Sequence, residues 1–412
     1  MRVIADLHIH SKYSRATSKN MDVENIARWA KLKGIDLIGT GDFTHHLWLE
    51  ELKSKLKPTS GGLYQHNGIN FLLTAEVSNM YKKNGKGRRI HTVIFAPGFG
   101  AVEKLNKKLA GRGNIASDGR PIFGFDVKDI IKMCLDISKD FFFVPAHAWT
   151  PWFSVFGSHS GFDSVEECFE EEAKNIYALE TGLSSDPGMN WRLSKLDKYT
   201  LISNSDAHSP IKLGREANVF DCELSYKEII NILKKKDKNK FLYTVEFFPE
   251  EGKYHFDGHR LCEVRLSPGE ARQHKNICPK CGKPLTIGVM NRVEALSDRK
   301  EGFVPKDAIP YKSLVPLIEI IAEAQQKAPT AKGVQEEYRT AISSFGTEFS
   351  ILLDATEQDL KNSLSQNTAE AVIKVRNRDL YIEPGYDGEY GTVKIFKEEE
   401  LVGKSGKQME LF

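Results

Sequence analysis

Up to about residue 245, short apolar runs alternate with amphipathic stretches, and nearly every apolar run ends in a side chain able to bind a metal ion. The spacing predicts strands over residues 3–7, 35–40, 71–76, 91–95, 142–146, 176–180 and 200–203. Between them, a helix is expected over residues 23–32, with Ile26, Trp29 and Ala30 on one face and Lys33-Gly34 as its stop signal. Another, over 130–137, follows the acidic start Asp126 and Asp129. Such alternation is the pattern of β/α units around a parallel sheet or barrel.

The ends of these runs carry the chemistry. Residues 3–7 are followed by His8 and His10, 35–40 by Asp42, and 71–75 by Glu76. His91 opens the next run, 142–146 leads into His147, and 200–203 leads into Asp206 and His208. In β/α barrels the strand C-termini converge on one face, so ligands scattered through 200 residues of sequence meet there. In an extended segment, His8 and His10 point to the same side, which suits capture of one ion. Any one of these histidines alone reads more simply as a hydrogen-bonded surface or core residue; together they read as a metal cluster. Imidazole mixed with carboxylate suits zinc, manganese or iron, with magnesium where carboxylate and water predominate.

A chain of 412 residues exceeds the size at which one hydrophobic core keeps growing. The expected division is a barrel at 1–245, a small Gly-, His- and Cys-containing module at 246–300, and a mixed α/β domain at 301–412. In the last, 314–328 and 334–344 read as helices and 380–396 as a hairpin, with Pro384-Gly385 and Asp387-Gly388 as turn signals. No run of about 18 apolar residues occurs, and the first residues lack the regions of a secretory signal, so a cytoplasmic protein with no membrane partner is expected. The formal net charge of +2 does not by itself argue for nucleic acid, but Lys82, Lys83, Lys86, Arg88 and Arg89 are clumped beside His91. The run of Lys234, Lys235, Lys236, Lys238 and Lys240 reads as a solvated surface.

Cysteines stand at 134, 168, 222, 262, 278 and 281, and only the last three are clustered. His259-Arg260-Leu261-Cys262 and Cys278-Pro279-Lys280-Cys281 form two knuckles at a spacing close to that of structural zinc ribbons. His259 has knuckle spacing as the fourth ligand, with His255 and His274 as alternatives. A closed tetrahedral zinc there would contribute folding energy to a segment too short to bury a core, and would not catalyse.

The segments DLHIH, GTGD, AEVS, His91, PAHAW and SDAH resemble the motifs of the polymerase-and-histidinol-phosphatase superfamily. That resemblance spans residues 6 to 208 and implies a distorted barrel of seven β/α units with a site for two or three divalent cations. By it, His8, His10, Glu76 and Asp206 would bind one ion, Glu76, His91 and His147 a second, and Asp42 and His208 a third. Two departures bear on the third ion. Arg15-Ala16-Thr17 stands where the superfamily often has a further histidine, and Asp42 stands where a histidine is common. Clustered divalent ions suit phosphoester hydrolysis, because they lower the pKa of bound water and neutralise charge building on phosphorus.

The barrel followed by GHRLC, CPKCGKPLTIGV, RVEALSDR and PGYDGEYG resembles, over the whole chain, the endonuclease Q family of archaea and some bacteria. The resemblance implies nicking of DNA on the 5′ side of uracil, hypoxanthine or xanthine and at abasic sites. Reaching such a base requires rotating it out of the stack. Trp149, Trp152 and Phe153 directly follow His147 and either stack on a base or displaced strand or pack the barrel rim. Arg88 and Arg89 would track the backbone. Lys12 and Arg15 either hold phosphate oxygens or are solvated loop residues. At the C-terminus, Gln408, Leu411 and Phe412 resemble the start of a sliding-clamp-binding peptide. Rival expectations are a small-molecule phosphatase of the histidinol-phosphate type, an exonuclease of the same superfamily, and a nonenzymatic DNA-binding module.

Overall fold

The chain is described here by a computed structural model covering residues 1–397 and Glu400. Its architecture is mixed α/β. The apolar run Arg2–Asp6 forms the central strand of an eight-stranded sheet, with four of its five residues buried. In spatial order that sheet contains Tyr311–Ser313, Phe241–Glu246, Ala217–Asp221, Arg2–Asp6, Leu37–Gly39, Ile69–Leu72, Tyr64–His66 and Lys57–Pro58. A second sheet orders Ile122–Phe123, Thr74–Lys83, Lys86–Phe95 and Phe142–Pro145, and Ala178–Glu180 pairs in parallel with Thr200–Ile202.

Strand directions depart from a simple parallel alternation. Arg2–Asp6, Leu37–Gly39 and Ile69–Leu72 are parallel neighbours, but Ala217–Asp221 lies antiparallel to both Arg2–Asp6 and Phe241–Glu246. Thr74–Lys83 and Lys86–Phe95 form one long antiparallel ribbon. Its turn is Asn84-Gly85, both at positive φ (52° and 75°), the backbone a two-residue hairpin requires. The lysines at 82, 83 and 86 therefore sit at a hairpin end.

Helix Val23–Lys33 shows how sequence sets local structure. Asp22 caps it by accepting from the Asn25 amide at 2.8 Å, an interaction worth about 1 kcal/mol. Val23, Ile26, Ala27 and Ala30 turn inward. Gly34 ends it in the left-handed region (φ 86°), where a Cβ would also stand 2.7 Å from Thr347 Oγ1. That contact ties the first helix to the C-terminal part, where Leu317–Ala324, Lys332–Phe345, Glu357–Ser363 and Gln366–Arg376 are helical. Lys33 and Glu348 form a buried ion pair at 2.7 Å between the same two regions. One continuous apolar core includes Ile26 and Trp48 together with Leu317, Ile320, Tyr338 and Phe349.

The large sheet crosses the boundary expected near residue 245, because Tyr311–Ser313 pairs in parallel with Phe241–Glu246. Between these strands, the short hairpin Asp257–His259 with Val264–Leu266 shelters a small apolar cluster of Val264, Ala271, Cys278 and Leu285. The C-terminal hairpin pairs Tyr381–Glu383 with Thr392–Lys394. No helix among the described residues is long and apolar enough to cross a membrane.

Candidate metal centre

Two residues beyond the end of the first strand, His8 is buried with its Nδ1 3.0 Å from Glu180 Oε2. His10 is held by a bridge to the 206–208 turn, its amide donating to the Ala207 carbonyl at 3.0 Å. Its Nδ1 lies 2.9 Å from Asp42 Oδ1. With each Nδ1 so occupied, both Nε2 atoms face inward; neither makes an aligned hydrogen bond, and both are shut off from solvent. A buried imidazole nitrogen left this way fits a metal ligand oriented by a carboxylate behind it.

Glu76 joins the two halves of the centre. Its Oε2 lies 3.3 Å from His10 Nε2 and 3.7 Å from His8 Nε2, while its Oε1 lies 2.7 Å from His91 Nδ1 and 3.1 Å from His147 Nε2. The ribbon explains the placement. Ser78 is opposite His91, so Glu76, two residues earlier, shares that face. Asp206 completes the first half, its Oδ1 3.1 Å from His10 Nε2 and 3.7 Å from His8 Nε2. Ligand atoms come within 4.8 Å of one another in three groups: His8, His10 and Glu76; Glu76, His91 and His147; and His10, Asp206 and His208. A carboxylate with one oxygen in each of two groups has the geometry of a bridging ligand.

Backbone and charge are both set for this arrangement. Asp42, His147 and Asp206 have positive φ (49°, 31° and 46°), a conformation that costs energy and concentrates at functional sites. Gly182 permits the His147 turn, since a Cβ there would stand 2.6 Å from the His147 Cβ. Burial works against protonation of His8, but the Glu180 and Asp206 carboxylates outweigh it and raise its pKa well above the ordinary value. For His10, burial is likewise outweighed, by Asp42 and Asp206. Glu76 and Asp206 are held below the usual carboxylate range: burial opposes this, but His91 and Arg120 beside Glu76, and His10 and His8 beside Asp206, prevail. Protons on imidazoles thus balance buried carboxylates, and divalent cations can take over that role. Burial pushes His91 down to about 4, against the pull of Glu76.

Asp42 is not placed with His208. Its Oδ2 accepts from the Ser11 amide at 2.6 Å and the Ser11 hydroxyl at 2.7 Å, and its Oδ1 faces His10, so it orients His10 from behind. His208 instead stands against His10, with ring centroids 4.5 Å apart. Two residues absent from the sequence expectations adjoin the cluster. Glu180 braces His8, the His147 amide (2.8 Å) and Asn204 (2.8 Å). It ends the strand Ala178–Glu180, at the close of an apolar run, and that was its signal. Arg120 places Nη1 2.9 Å from Glu76 Oε2; it arrives on an irregular segment with no pattern to mark it.

The expected substrate residues divide. Trp149 is buried and donates to Asn190 Oδ1 at 2.8 Å, so it packs the interior and is not available to stack on a base. Trp152 stacks on His159 at 4.4 Å and meets Tyr254 edge-on at 5.2 Å. Phe153 lies 4.6 Å from the His91 ring, and Arg89 lies over Phe153. Arg88 is turned inward onto Phe162 (3.9 Å) and the Gly161 carbonyl, away from any backbone it was expected to track. Lys12 is paired with Glu51 at 2.7 Å, and Arg15 is largely exposed beside Asp118. Gln408, Leu411 and Phe412 lie outside the described residues.

In the Cys-containing module, His259, Cys262, Cys278 and Cys281 bring their ligand atoms within 4.8 Å of one another. His259 Nδ1 is 3.5 Å from Cys281 Sγ. Neither His255 nor His274 belongs to that group. The 278–282 turn closes through Gly282 (φ 73°), whose amide donates to the Cys278 carbonyl at 2.9 Å. Burial would raise the Cys278 thiol, but the amides of Cys281 and Lys280 outweigh it and bring it down to about 7, which favours the thiolate a zinc ion needs.

Residues 316–379 match a family model described as the MJ0043 C-terminal domain. The MJ0043 protein of Methanocaldococcus jannaschii is 34% identical over 254 residues, which are 60% of this chain and 31% of that protein, so this chain spans about a third of that relative. YqxK of Bacillus subtilis is 29% identical over 409 residues, 95% of this chain and 99% of that one. Among solved structures, the lesion-specific endonuclease PfuEndoQ from Pyrococcus furiosus superposes with a TM-score of 0.86 at 34% identity, covering 98% of this chain and 99% of the other. Endonuclease Q in complex with a 27-mer duplex substrate carrying an abasic lesion at the active site gives 0.85 at 34%, covering 97% and 98%. These likenesses define the class, a metal-dependent DNA-cleaving enzyme of mixed α/β fold. Within that class, the chain belongs to the endonuclease Q family.

Proposed function

We propose that this enzyme nicks DNA on the 5′ side of uracil, hypoxanthine or xanthine and at abasic sites, using water activated at the Glu76-centred cluster. The observation that carries the reading is the pair of buried Nε2 atoms on His8 and His10, which lie with a Glu76 carboxylate oxygen within 4.8 Å of one another, Asp206 Oδ1 standing 3.1 Å from His10 Nε2. The abasic duplex bound by the related endonuclease Q supports DNA as the substrate. The ligand sets in this reading are His8, His10, Glu76 and Asp206 for one ion and Glu76, His91 and His147 for a second. At the third position His208 stands near Asp206, and Asp42, expected there with it, holds His10 Nδ1 from behind.

Divalent zinc, magnesium or manganese there would supply a water of lowered pKa and neutralise charge on the phosphate. The chain's own side chains do the rest. Glu180 and Asp42 fix the rings of His8 and His10, so the ligand atoms need not reorganise. Arg120 offers a guanidinium beside Glu76, placed to meet an anionic phosphate oxygen. Arg89 and Trp152, at the rim, contact the strand. The barrel is read as a distorted seven-unit barrel of the polymerase-and-histidinol-phosphatase type. A structural zinc is assigned to His259, Cys262, Cys278 and Cys281. The division into 1–245, 246–300 and 301–412 is retained as a proposal, with Tyr311–Ser313 returning to the first unit. Residues 408–412 are assigned to a sliding clamp, and deleting them should abolish clamp pull-down.

The test uses labelled duplexes with one internal uracil, hypoxanthine or abasic site, incubated with magnesium, manganese or zinc. A lesion-dependent internal nick is expected. Hydrolysis of a small phosphomonoester alone would overturn the substrate assignment.

A further inference from the structure

Leu261 is 81% exposed and Tyr390 is 72% exposed, the two highest values among the large apolar side chains described. Scattered exposed leucines are ordinary, but these two are mounted on one rigid surface. Leu261 sits in the tight turn Arg260–Cys262, with zinc-site residues His259 and Cys262 flanking it. The Arg260 amide donates to Asp387 Oδ2 at 2.7 Å, and the Thr286 hydroxyl also bonds Asp387, so the knuckle is fastened to the 386–389 turn that carries Tyr390. Lys253 lies 4.3 Å over the Tyr390 ring, and its carbonyl accepts from the Gly388 amide at 2.9 Å.

This surface continues to the metal centre. Lys253 adjoins Tyr254, which meets Trp152 at 5.2 Å; the Trp152 carbonyl accepts from the Thr150 hydroxyl at 2.8 Å, and that hydroxyl lies 3.1 Å from His147 Nδ1. Arg260, Lys280 and Lys283 around the knuckle are exposed. An aliphatic side chain on a rigid mount, flanked by cations and bordering a nuclease centre, is the chemistry that proteins use to enter a base step and hold it open.

We infer that Leu261 is a wedge that enters the DNA stack beside the lesion, with Tyr390 and Lys253 carrying the adjoining strand. This rests on the lesion-nicking function proposed above. By filling the gap a rotated nucleotide leaves behind, Leu261 keeps that nucleotide from falling back into the duplex. It is therefore a positioning residue, acting on the substrate's shape and not on the phosphate.

The experiment compares wild type with Leu261→Ala and Leu261→Met on the full chain, using an abasic duplex with 2-aminopurine beside the lesion. Leu261→Ala should nick the fully paired duplex about 10-fold or more slowly. It should also fail to raise 2-aminopurine fluorescence on binding, while zinc content stays at the wild-type level. Leu261→Met, which keeps an apolar side chain of similar volume, should behave as wild type. Mismatching the neighbouring pair, which opens the stack in advance, should restore the Leu261→Ala rate. Unchanged nicking by Leu261→Ala, or an equal loss on paired and mismatched duplexes, would overturn the wedge. Absence of lesion-dependent nicking by wild type would instead overturn the function on which it rests.

Discussion

The centre around Glu76 and the knuckle around Cys278 gather ligands by opposite routes. The first draws on strands and turns spread from His8 to His208, whose chain neighbours belong to the two large apolar clusters of the molecule. The second takes its four ligands from residues 259 to 281, on short hairpins and turns whose own apolar cluster is only Val264, Ala271, Cys278 and Leu285. A fold with that much core holds its ligands in place without an ion; a segment with so little needs the ion to hold the fold. One site can therefore be tuned for chemistry, whereas the other is spent on structure.

Removing ligands should separate the two most sharply. Asp206→Ala should lower nicking on the order of 10³-fold or more, because it deletes a carboxylate proposed to hold the first ion, yet leave DNA affinity and thermal stability largely intact. A collapse of stability comparable to the loss of activity would erase the distinction. Cys278→Ser should do the converse. Structural zinc in small modules contributes about 10 kcal/mol, so the variant should lose its zinc and become protease-sensitive between residues 255 and 290, while the sheet around Arg2–Asp6 resists. Glu180→Gln probes the support behind the first centre, and a loss of ~10–100-fold in nicking with unchanged structural zinc is expected for a lost orienting carboxylate.

The smallest effect concerns a buried acid pair outside both clusters. Glu246 accepts from Thr181 at 2.9 Å, and burial pushes it up to about 8, while burial and the neighbouring Glu246 also raise Glu216. A carboxyl that keeps its proton to higher pH when folded stabilises the fold fully below its ordinary value near 4.5 and loses that contribution as pH rises toward 8. Melting temperature should fall from pH 5 to pH 8 more steeply for wild type than for Glu246→Gln. Equal slopes would show that the pair does not titrate in this window.

How much of this was legible in the sequence follows from which interactions are local. His8, His10, Glu76, His91, His147 and Asp206 stand at or beside apolar runs, and strand pairing brings them together, so the period-2 pattern that marks strands also marks them. Glu180 carried the same signal at the end of 176–180, with no neighbouring histidine to draw attention to it. Arg120 could not be read, because a loop's path depends on what it packs against. Asp42 shows a related limit. Whether a carboxylate faces an ion or the back of a histidine is decided by its turn, here one at positive φ whose Oδ2 is taken by Ser11. Trp149 shows the limit of adjacency: two residues after His147, the chain has turned it into the core. The antiparallel ribbon was signalled by Asn84-Gly85, which lies inside a clump of lysines and arginines that was read for its charge. The grouping of His259, Cys262, Cys278 and Cys281 was the most legible part, since these residues are neighbours in sequence.

The proposed polynuclear centre, built from residues distant in sequence, has Glu76 between two ions. Anomalous diffraction from crystals soaked in manganese tests it directly. The expected result is two peaks bridged by Glu76, one beside His8, His10 and Asp206 and the other beside His91 and His147. Density confined to the Cys-containing knuckle, or a single ion that does not touch Glu76, would contradict it.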